Sequence, residues 1–405
     1  MQDWRSVGDW KDGRVRSAAK KTIWMSLLFG IVFIGISLPA VLDMTKEYDD
    51  GNHMILLVLL FPLVGVSALI YCLYSIFAWR KFGTTELVLD PVPGSIGGDF
   101  GGYVNVPVFW KNSHQFNITL NCLHTQTTGS GKNRSTKTSV SWQREGIADI
   151  SPTSDGTRCA FRFSIPDDLP ESEKNASSYY HWLFQIECEL PGIDFRRNFS
   201  VPVFKSETPQ FSLSMADYAK ASSPLDKAPE GTVIISETAE ALQFYYPWYR
   251  HLWMGFMSMV FGSIFAVIGY FIGAEDAGGM VFFIAFGGVG IICLLIGLYI
   301  VGNTLTTTVS KKGINVVRNV YGIRFQRNVV KDNIVKLQRQ IKSQMQGGSR
   351  YRVYYSIVVF TRDGRQIVIA DTLEGSRLAD FIEKRILTAL HMRNEAGSLL
   401  DQWSP

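Results

Sequence analysis

Four long stretches of this chain carry no ionisable side chain, and nothing else in the sequence restricts its possible folds so severely. Thr22–Leu42 holds 21 consecutive residues without Asp, Glu, Lys, Arg or His, Met54–Ala78 holds 25 and Leu252–Ala274 holds 23, while Ala277–Thr308 contains a fourth such run. A helix of about 20 apolar residues crosses the hydrocarbon of a bilayer, so each stretch is long enough to span. They come in two pairs, which predicts two helical hairpins. Over the 405 residues they bring hydrophobic residues to 46% and hold charged ones to 19%, below the usual quarter. A soluble enzyme, a disordered chain and a disulfide-rich secreted domain are excluded on that ground.

Charge orients the spans. Arg5, Lys11, Arg14, Arg16, Lys20 and Lys21 precede the first, Arg80 and Lys81 close the second, Arg250 precedes the third, and Lys311 and Lys312 follow the fourth. The connector Asp43–His53 is mainly acidic, and the one between the third and fourth spans holds Glu275 and Asp276 with no cation. The positive-inside rule places every basic flank, both termini and both soluble regions in the cytoplasm. The basic stretch before Thr22 is too long for a signal peptide, and a second span follows closely, so the first hairpin is expected to be uncleaved. Sequons at Asn117, Asn133, Asn175 and Asn198 would matter only in a lumenal domain. Five cysteines, widely spaced and odd in number, suit reduced thiols.

The third span repeats small residues. Ser258, Gly262 and Ala266 recur every four positions, Gly255, Gly262 and Gly269 every seven, and Gly290 and Gly297 do the same in the fourth. Small residues on one face let helices approach closely, so these seven are the expected packing positions, with a permeation path as the other reading. Pro39 and Pro62 are expected to mark a kink or a helix end. No span carries an ionisable group, which argues against ion-coupled transport. Ahead of the third span, Tyr245, Tyr246, Trp248, Tyr249 and Trp253 read as an interfacial aromatic belt.

Between the hairpins, short alternating runs predict seven or eight strands and a β-sandwich: Glu86–Leu89, Tyr103–Phe109, Phe116–Thr125, Ser139–Arg144, Cys159–Ile165, Trp182–Leu190 and Arg196–Phe204. The glycines at 94, 97, 98, 101 and 102 lack the following helix that a phosphate loop needs. They suit a turn or bulged strand instead. Cys122, His124, His181 and Cys188 do not complete a zinc set, and no nucleophile elbow occurs. Within this region Phe161, Phe163, Ile165-Pro166, Leu169-Pro170 and Ser172 are followed by Tyr180, Trp182, Pro191-Gly192 and Phe199–Val203. This string resembles the arrestin-like sandwiches, and a group of bacterial inner-membrane proteins that carry such a domain between helix pairs. The resemblance implies a binding scaffold and transfers no individual functional residue.

After the fourth span, runs at Thr304–Val309, Gly313–Asn319, Gly322–Val330, Ile334–Ile341, Tyr351–Thr361 and Gln366–Asp371 predict strands. A helix follows, with Leu378, Phe381, Ile382, Ile386 and Leu387 on one face. That order resembles a pleckstrin-homology-like barrel or sandwich closed by a C-terminal helix. From Asn303 to Arg352 there are 11 Lys and Arg against Asp332 alone, whereas Gly83–Arg250 has 14 against 19 acids. Lys311, Lys312, Lys342, Arg350 and Arg352 sit at predicted strand ends or loops and form a candidate basic interaction face. It has three readings: a topology flank, a docking surface for anionic lipid or an acidic partner, or a nucleic-acid contact, the last disfavoured by the scarcity of aromatic platforms.

The expected organisation is an N-terminal cytoplasmic segment (1–21), a transmembrane hairpin (22–82), a cytoplasmic arrestin-like sandwich with linker (83–246), a second hairpin (247–302), a pleckstrin-homology-like domain (303–390) and a tail (391–405). The fold class is four transmembrane helices plus all-β soluble domains. The expected role is a non-enzymatic scaffold or accessory subunit of a bacterial inner membrane, with membrane lipid and a protein partner or second copy as partners. No cofactor, metal or nucleic acid is expected. The alternative is a transporter or channel component with a lipid or solute path along the Gly-rich third and fourth spans.

Overall fold

A computed structural model describes residues 10–391, apart from 11, 18, 51–52, 110, 112–113, 175, 213–224, 226–227, 230, 239, 274–278 and 348–349. The Glu275-Asp276 connector, Asn175, most of the linker and the tail beyond residue 391 lie outside the described residues. The chain divides into two compact units, Met1–Ser223 with Gln346–Tyr351, and Pro224–Met345 with Arg352–Pro405. Each contains one pair of apolar helices and one β domain.

In the first unit, β1 (Arg14–Arg16) leads into α1 (Ala19–Leu42), and α2 (Leu60–Phe82) returns. Pro39 lies within α1, and Pro62 falls in the first turn of α2, where its missing N–H leaves no intrahelical bond unmade. The β domain packs a five-stranded sheet against a four-stranded one. The first sheet has the order β1-β2-β4-β8-β7, from β2 (Glu86–Leu89), β4 (Asp99–Val106), β7 (Asp149–Thr153) and β8 (Gly156–Ser164). The second has the order β10-β9-β5-β6, from β5 (Asn117–Thr128), β6 (Ser135–Ile147), β9 (Ser178–Cys188) and β10 (Phe195–Val201). A small parallel pair joins β3 (Gly94–Ile96) to β11 (Val203–Lys205).

Alternation turns Phe100, Phe161, Phe163, Phe184 and Phe199 inward, and the rings of Phe161 and Phe184 stack 4.1 Å apart. Such rings supply most of the area this core removes from water. The glycine run is a turn and a strand: at Gly102, with φ +139°, a Cβ would lie 2.0 Å from the Val88 carbonyl oxygen of the paired strand. The N-terminal segment is not separate from the sandwich. β1 pairs with β2, and Val15 is buried in the core.

The second unit departs further from the sequence-based boundaries. β12 (Ile234–Glu237) and β13 (Ala241–Tyr246), assigned by sequence to the sandwich side, extend the sheet of the C-terminal domain. The order is β12-β13-β14-β15-β16, with β14 (Asn303–Ser310), β15 (Gly313–Val320) and β16 (Ile323–Val330). β13 and β14 pair antiparallel from Ala241 opposite Ser310 to Tyr246 opposite Leu305. The second helical hairpin is therefore an insertion between two neighbouring strands. A pairing partner more than fifty residues away leaves no trace in local periodicity, so this boundary was unreadable. β17 (Ile334–Gly347), β18 (Arg350–Thr361) and β19 (Gln366–Glu374) form a second sheet. Beyond the apolar helices α3 (Leu252–Gly273) and α4 (Gly288–Gly302), helix α5 (Ser376–Ala389) buries Leu378, Phe381, Ile382, Ile386 and Leu387 against the domain, as its spacing predicts.

The four predicted spans are helical. Ile23–Leu42, Leu60–Phe82, Trp248–Phe271 and Phe283–Gly302 are long and apolar enough to cross a membrane. Large apolar side chains along them, Trp24, Leu63, Trp253 and Leu295 among them, face outward, a surface that only lipid covers without cost. In the first hairpin, Gly30 and Gly65 face each other, and a Cβ on Gly30 would lie 3.0 Å from the Gly65 oxygen. In the second, α3 (Leu252–Gly273) lies against α4 (Gly288–Gly302), which a π-helical turn at Phe283–Gly287 precedes.

Candidate functional site

The helix-packing positions come together along the whole α3–α4 seam. A Cβ on Gly262 would lie 2.6 Å from the Gly290 oxygen, one on Gly269 2.4 Å from the Gly287 nitrogen, and one on Gly290 2.4 Å from the Ala266 nitrogen. Gly255 and Gly297 approach equally closely, and Ser258 donates to the Cys293 carbonyl at 2.8 Å. Backbone meets backbone here, and the seam has no room for a path between these two helices.

The basic candidates divide into three that meet a carboxylate and two that, among the described residues, do not. Lys342 reaches Asp371 at 2.5 Å, Arg352 reaches Glu374 at 3.6 Å, and Arg350, which belongs to the first unit, reaches Glu187 at 2.9 Å. Lys311 and Lys312 are exposed in the β14–β15 turn, with no carboxylate in reach among the described residues. The sequence reading counted cations without their acids, and acids from other strands pair with three of the five. The aromatic belt is likewise divided. Trp248, Tyr249 and Trp253 are exposed at the start of α3, but Tyr246 ends β13 with 1% of its surface exposed, and Tyr245 is half-buried in the same strand. Tyr246 is a core residue of the β domain.

A constellation that the sequence reading missed lies where this domain meets its helices. Its centre is Asp371 near the end of β19, 2% exposed. A register shift opposite Ser356, together with Thr372 at φ +54°, carries Asp371 and Thr372 through the strand. A β-branched residue at positive φ is strained, and such strain concentrates at functional sites. Arg318 of β15 donates to one carboxylate oxygen at 3.0 Å and Lys342 of β17 to the other at 2.5 Å. Arg318 also donates to Asn303 at 3.2 Å, at the junction of α4 and β14. Burial pushes the Asp371 carboxyl up, but the hydrogen bonds and charges of Lys342 and then Arg318 outweigh it and hold it below the ordinary carboxylate value.

Within electrostatic reach of this carboxylate lie Tyr246, Arg250 and His251. The Arg250 guanidinium sits over the Tyr246 ring, 5.5 Å from its centroid, and His251 meets Tyr354 edge-on at 6.0 Å. Burial raises the Tyr246 phenol well above its ordinary value, only partly offset by Arg250. The Tyr246 hydroxyl, Nε and Nη1 of Arg250, Nε2 of His251 and the Thr372 hydroxyl are all buried with no hydrogen-bond partner among the described residues. A signal for Asp371 did exist. It shares strand parity with the buried Ile367 and Ile369, and an acid on a core-facing position needs a partner.

A second buried acid lies on α5. Glu383 is 2% exposed, and its Oε2 has no partner among the described residues. Burial lifts its carboxyl to about 7, with Arg339 pulling down and Asp380 pushing up. Arg339 itself is paired with Asp380 and lies over the Tyr355 ring. In the sandwich, the thiols of Cys122, Cys159 and Cys188 are buried, and burial raises all three, Cys188 to about 11. No group of His, Cys, Asp and Glu among the described residues is placed to hold a metal.

No family model and no curated protein matches this chain. Among solved structures, the sporulation control protein Spo0M from Bacillus subtilis matches at 10% identity with a TM-score of 0.23, over 75% of this chain and 95% of that one. A likeness at that score carries no argument about fold or role.

Proposed function

We propose that this chain is a multi-pass protein of a bacterial inner membrane that holds two cytoplasmic β domains and performs no chemistry of its own. It serves as a scaffold or accessory subunit whose domains engage protein or the lipid surface. The first domain is read as arrestin-like, which its two facing antiparallel sheets and aromatic core support. The second is read as pleckstrin-homology-like, which its antiparallel sheets and closing helix α5 support. The observation that carries the reading is the cation-rich cluster of Arg250, Arg318 and Lys342 around a single carboxylate, next to the exposed Trp248 and Trp253 at the start of a span. Cations and indoles at the end of a span mark the inner interface. The close α3–α4 seam supports packing over transport.

Sidedness tests this directly. Cysteines placed at Ser130 in the β5–β6 turn and at Lys312 in the β14–β15 turn should react with an impermeant maleimide only after cells are permeabilised. Labelling of either in intact cells defeats the cytoplasmic assignment. Ion flux above that of empty vesicles, from the purified chain in liposomes, would favour the transporter reading.

A further inference from the structure

We propose that Tyr246, Arg250 and His251, backed by Arg318 and Lys342, form a binding site for a phosphate-bearing anion at the membrane surface. The proposal rests on the reading of α3 and α4 as spans, but not on which side of the membrane the domain lies.

Three observations converge. The first is charge. The part-buried Arg250 and Arg318 and the exposed Lys342 gather around buried Asp371, three cations to one carboxylate among the described residues. The second is unmet hydrogen bonding. Asp371 spends its two oxygens on Arg318 and Lys342. That leaves Nε and Nη1 of Arg250, Nε2 of His251 and the hydroxyl of the almost wholly buried Tyr246 with nothing to bond. A buried guanidinium nitrogen without an acceptor carries a desolvation penalty, and a phosphate offers several charged acceptor oxygens to donors on different edges of one guanidinium. The third is an internal comparison. In the first unit, Arg197 lies at the foot of α2, packed on the rings of Phe82 and Phe195. Its Nη1 donates to the Arg196 carbonyl at 2.9 Å and its Nη2 to the Gly83 carbonyl at 3.0 Å. That arginine spends both terminal nitrogens on backbone carbonyls and leaves only Nε open, whereas Arg250, just before α3, leaves both Nε and Nη1 open among the described residues.

Position selects the ligand chemistry. Arg250 and His251 come immediately before Leu252, where α3 begins and its apolar side chains turn outward. Lipid phosphates lie at that level of a bilayer. The headgroup of an anionic phospholipid and a soluble phosphate present the same oxygens, so either source satisfies the site. Asp371 holds the cations in place while the site is empty and limits their mutual repulsion.

The test uses the full chain, delipidated in maltoside micelles, with thermal unfolding of the β domains and native mass spectrometry as readouts. Three probes are added separately: phosphatidylglycerol, inorganic phosphate, and diacylglycerol, which lacks the phosphate. Phosphatidylglycerol should stabilise the protein and remain bound, and diacylglycerol should do neither. Stabilisation by inorganic phosphate as well supports a soluble source, and its absence supports the lipid. Tyr246→Phe, which keeps the ring and removes only the hydroxyl, and Arg250→Gln should each weaken phosphate-dependent binding about tenfold, the value of one lost hydrogen bond to a charged group. Lys311→Gln with Lys312→Gln, outside the site, should leave it unchanged. Should Arg250→Gln fail to fold, Tyr246→Phe decides. Equal binding of diacylglycerol and phosphatidylglycerol, no response to either phosphate source, or wild-type binding by Tyr246→Phe overturns the proposal.

Discussion

The two β domains differ in how their buried acids are met: Asp99 accepts from the Ser212 backbone N–H, whereas Asp371 is met by two cationic side chains. Between Glu86 and Lys205 the interior is mainly aromatic and aliphatic, with Asp99 and Arg197 as buried charged residues, and a run of amides (Gln143 to Asn121, Asn121 to Gln185, Gln185 to Asn198) is linked by hydrogen bonds of 2.8 to 3.1 Å. The second domain buries Asp371 against part-buried Arg318 and exposed Lys342, and Glu383 beside the Arg339–Asp380 pair. An apolar core stabilises one packing and responds little to conditions. Buried ions stabilise less, because desolvation offsets their attraction, but they make a domain answer to pH and to added charge.

The widest gap between the domains should appear on truncation. Phe184→Ala opens a cavity among Phe100, Phe161 and Phe199 and should cost the sandwich about 4 kcal/mol. Asp371→Ala leaves Arg318 and Lys342 unpaired and should cost the second domain about 3 kcal/mol. Urea unfolding followed by fluorescence checks both, and only the second loss should shrink when phosphate or an anionic lipid is added. The Asp371 carboxyl is depressed in the folded state, so its contribution holds above the unfolded value and fades as pH falls through the folded one. A sandwich equally sensitive to added anions would break the comparison.

A smaller effect separates the helix pairs. Gly262→Leu drives side-chain atoms into the α4 backbone and should destabilise the second hairpin by about 2 kcal/mol. Gly35→Ala in α1 meets nothing within 4 Å and should be neutral or stabilising by about 0.5 kcal/mol. Steric-trap or SDS unfolding measures both.

Glu383 sharpens the contrast in pH response. Its carboxyl is raised to about 7 in the folded domain against 4.5 for the free side chain, so the folded state holds the extra proton between those values. Stability should therefore fall as pH climbs from about 4.5 to about 7 and level off above, by roughly 2 kcal/mol once the neighbouring charges are allowed for. Glu383→Gln should flatten that slope and stabilise the domain at pH 8. An unchanged slope refutes the assignment. Least of all should change with Lys311→Gln and Lys312→Gln, within about 0.5 kcal/mol of wild type, because these cations are exposed and unpaired with acids among the described residues.

What could be read without coordinates follows from range. A membrane-spanning helix satisfies its backbone within itself, so an uninterrupted apolar run is sufficient to locate it, and α1 to α4 fall on the four runs. Strand alternation is local as well, and Phe161, Phe163 and Trp182 turn inward as their parity requires. The repeat of Gly255, Gly262 and Gly269 marked the α3 face that meets α4.

Pairing and charge compensation act between residues far apart in sequence, and these only the tertiary structure decided. The neighbour of β13 is β14, on the far side of a whole helical hairpin. The aromatic run before α3 was read as one belt, yet strand pairing draws Tyr246 inward while Trp248 and Trp253 stay outside. Cations counted along the chain suggested a basic face, but Glu187, Asp371 and Glu374 arrive from other elements to meet three of them. Sequence records which residues are charged and which can enter lipid or a core. It cannot record how many of the buried charges find a partner, because that depends on three-dimensional distances of about 3 Å between segments that the chain itself holds far apart.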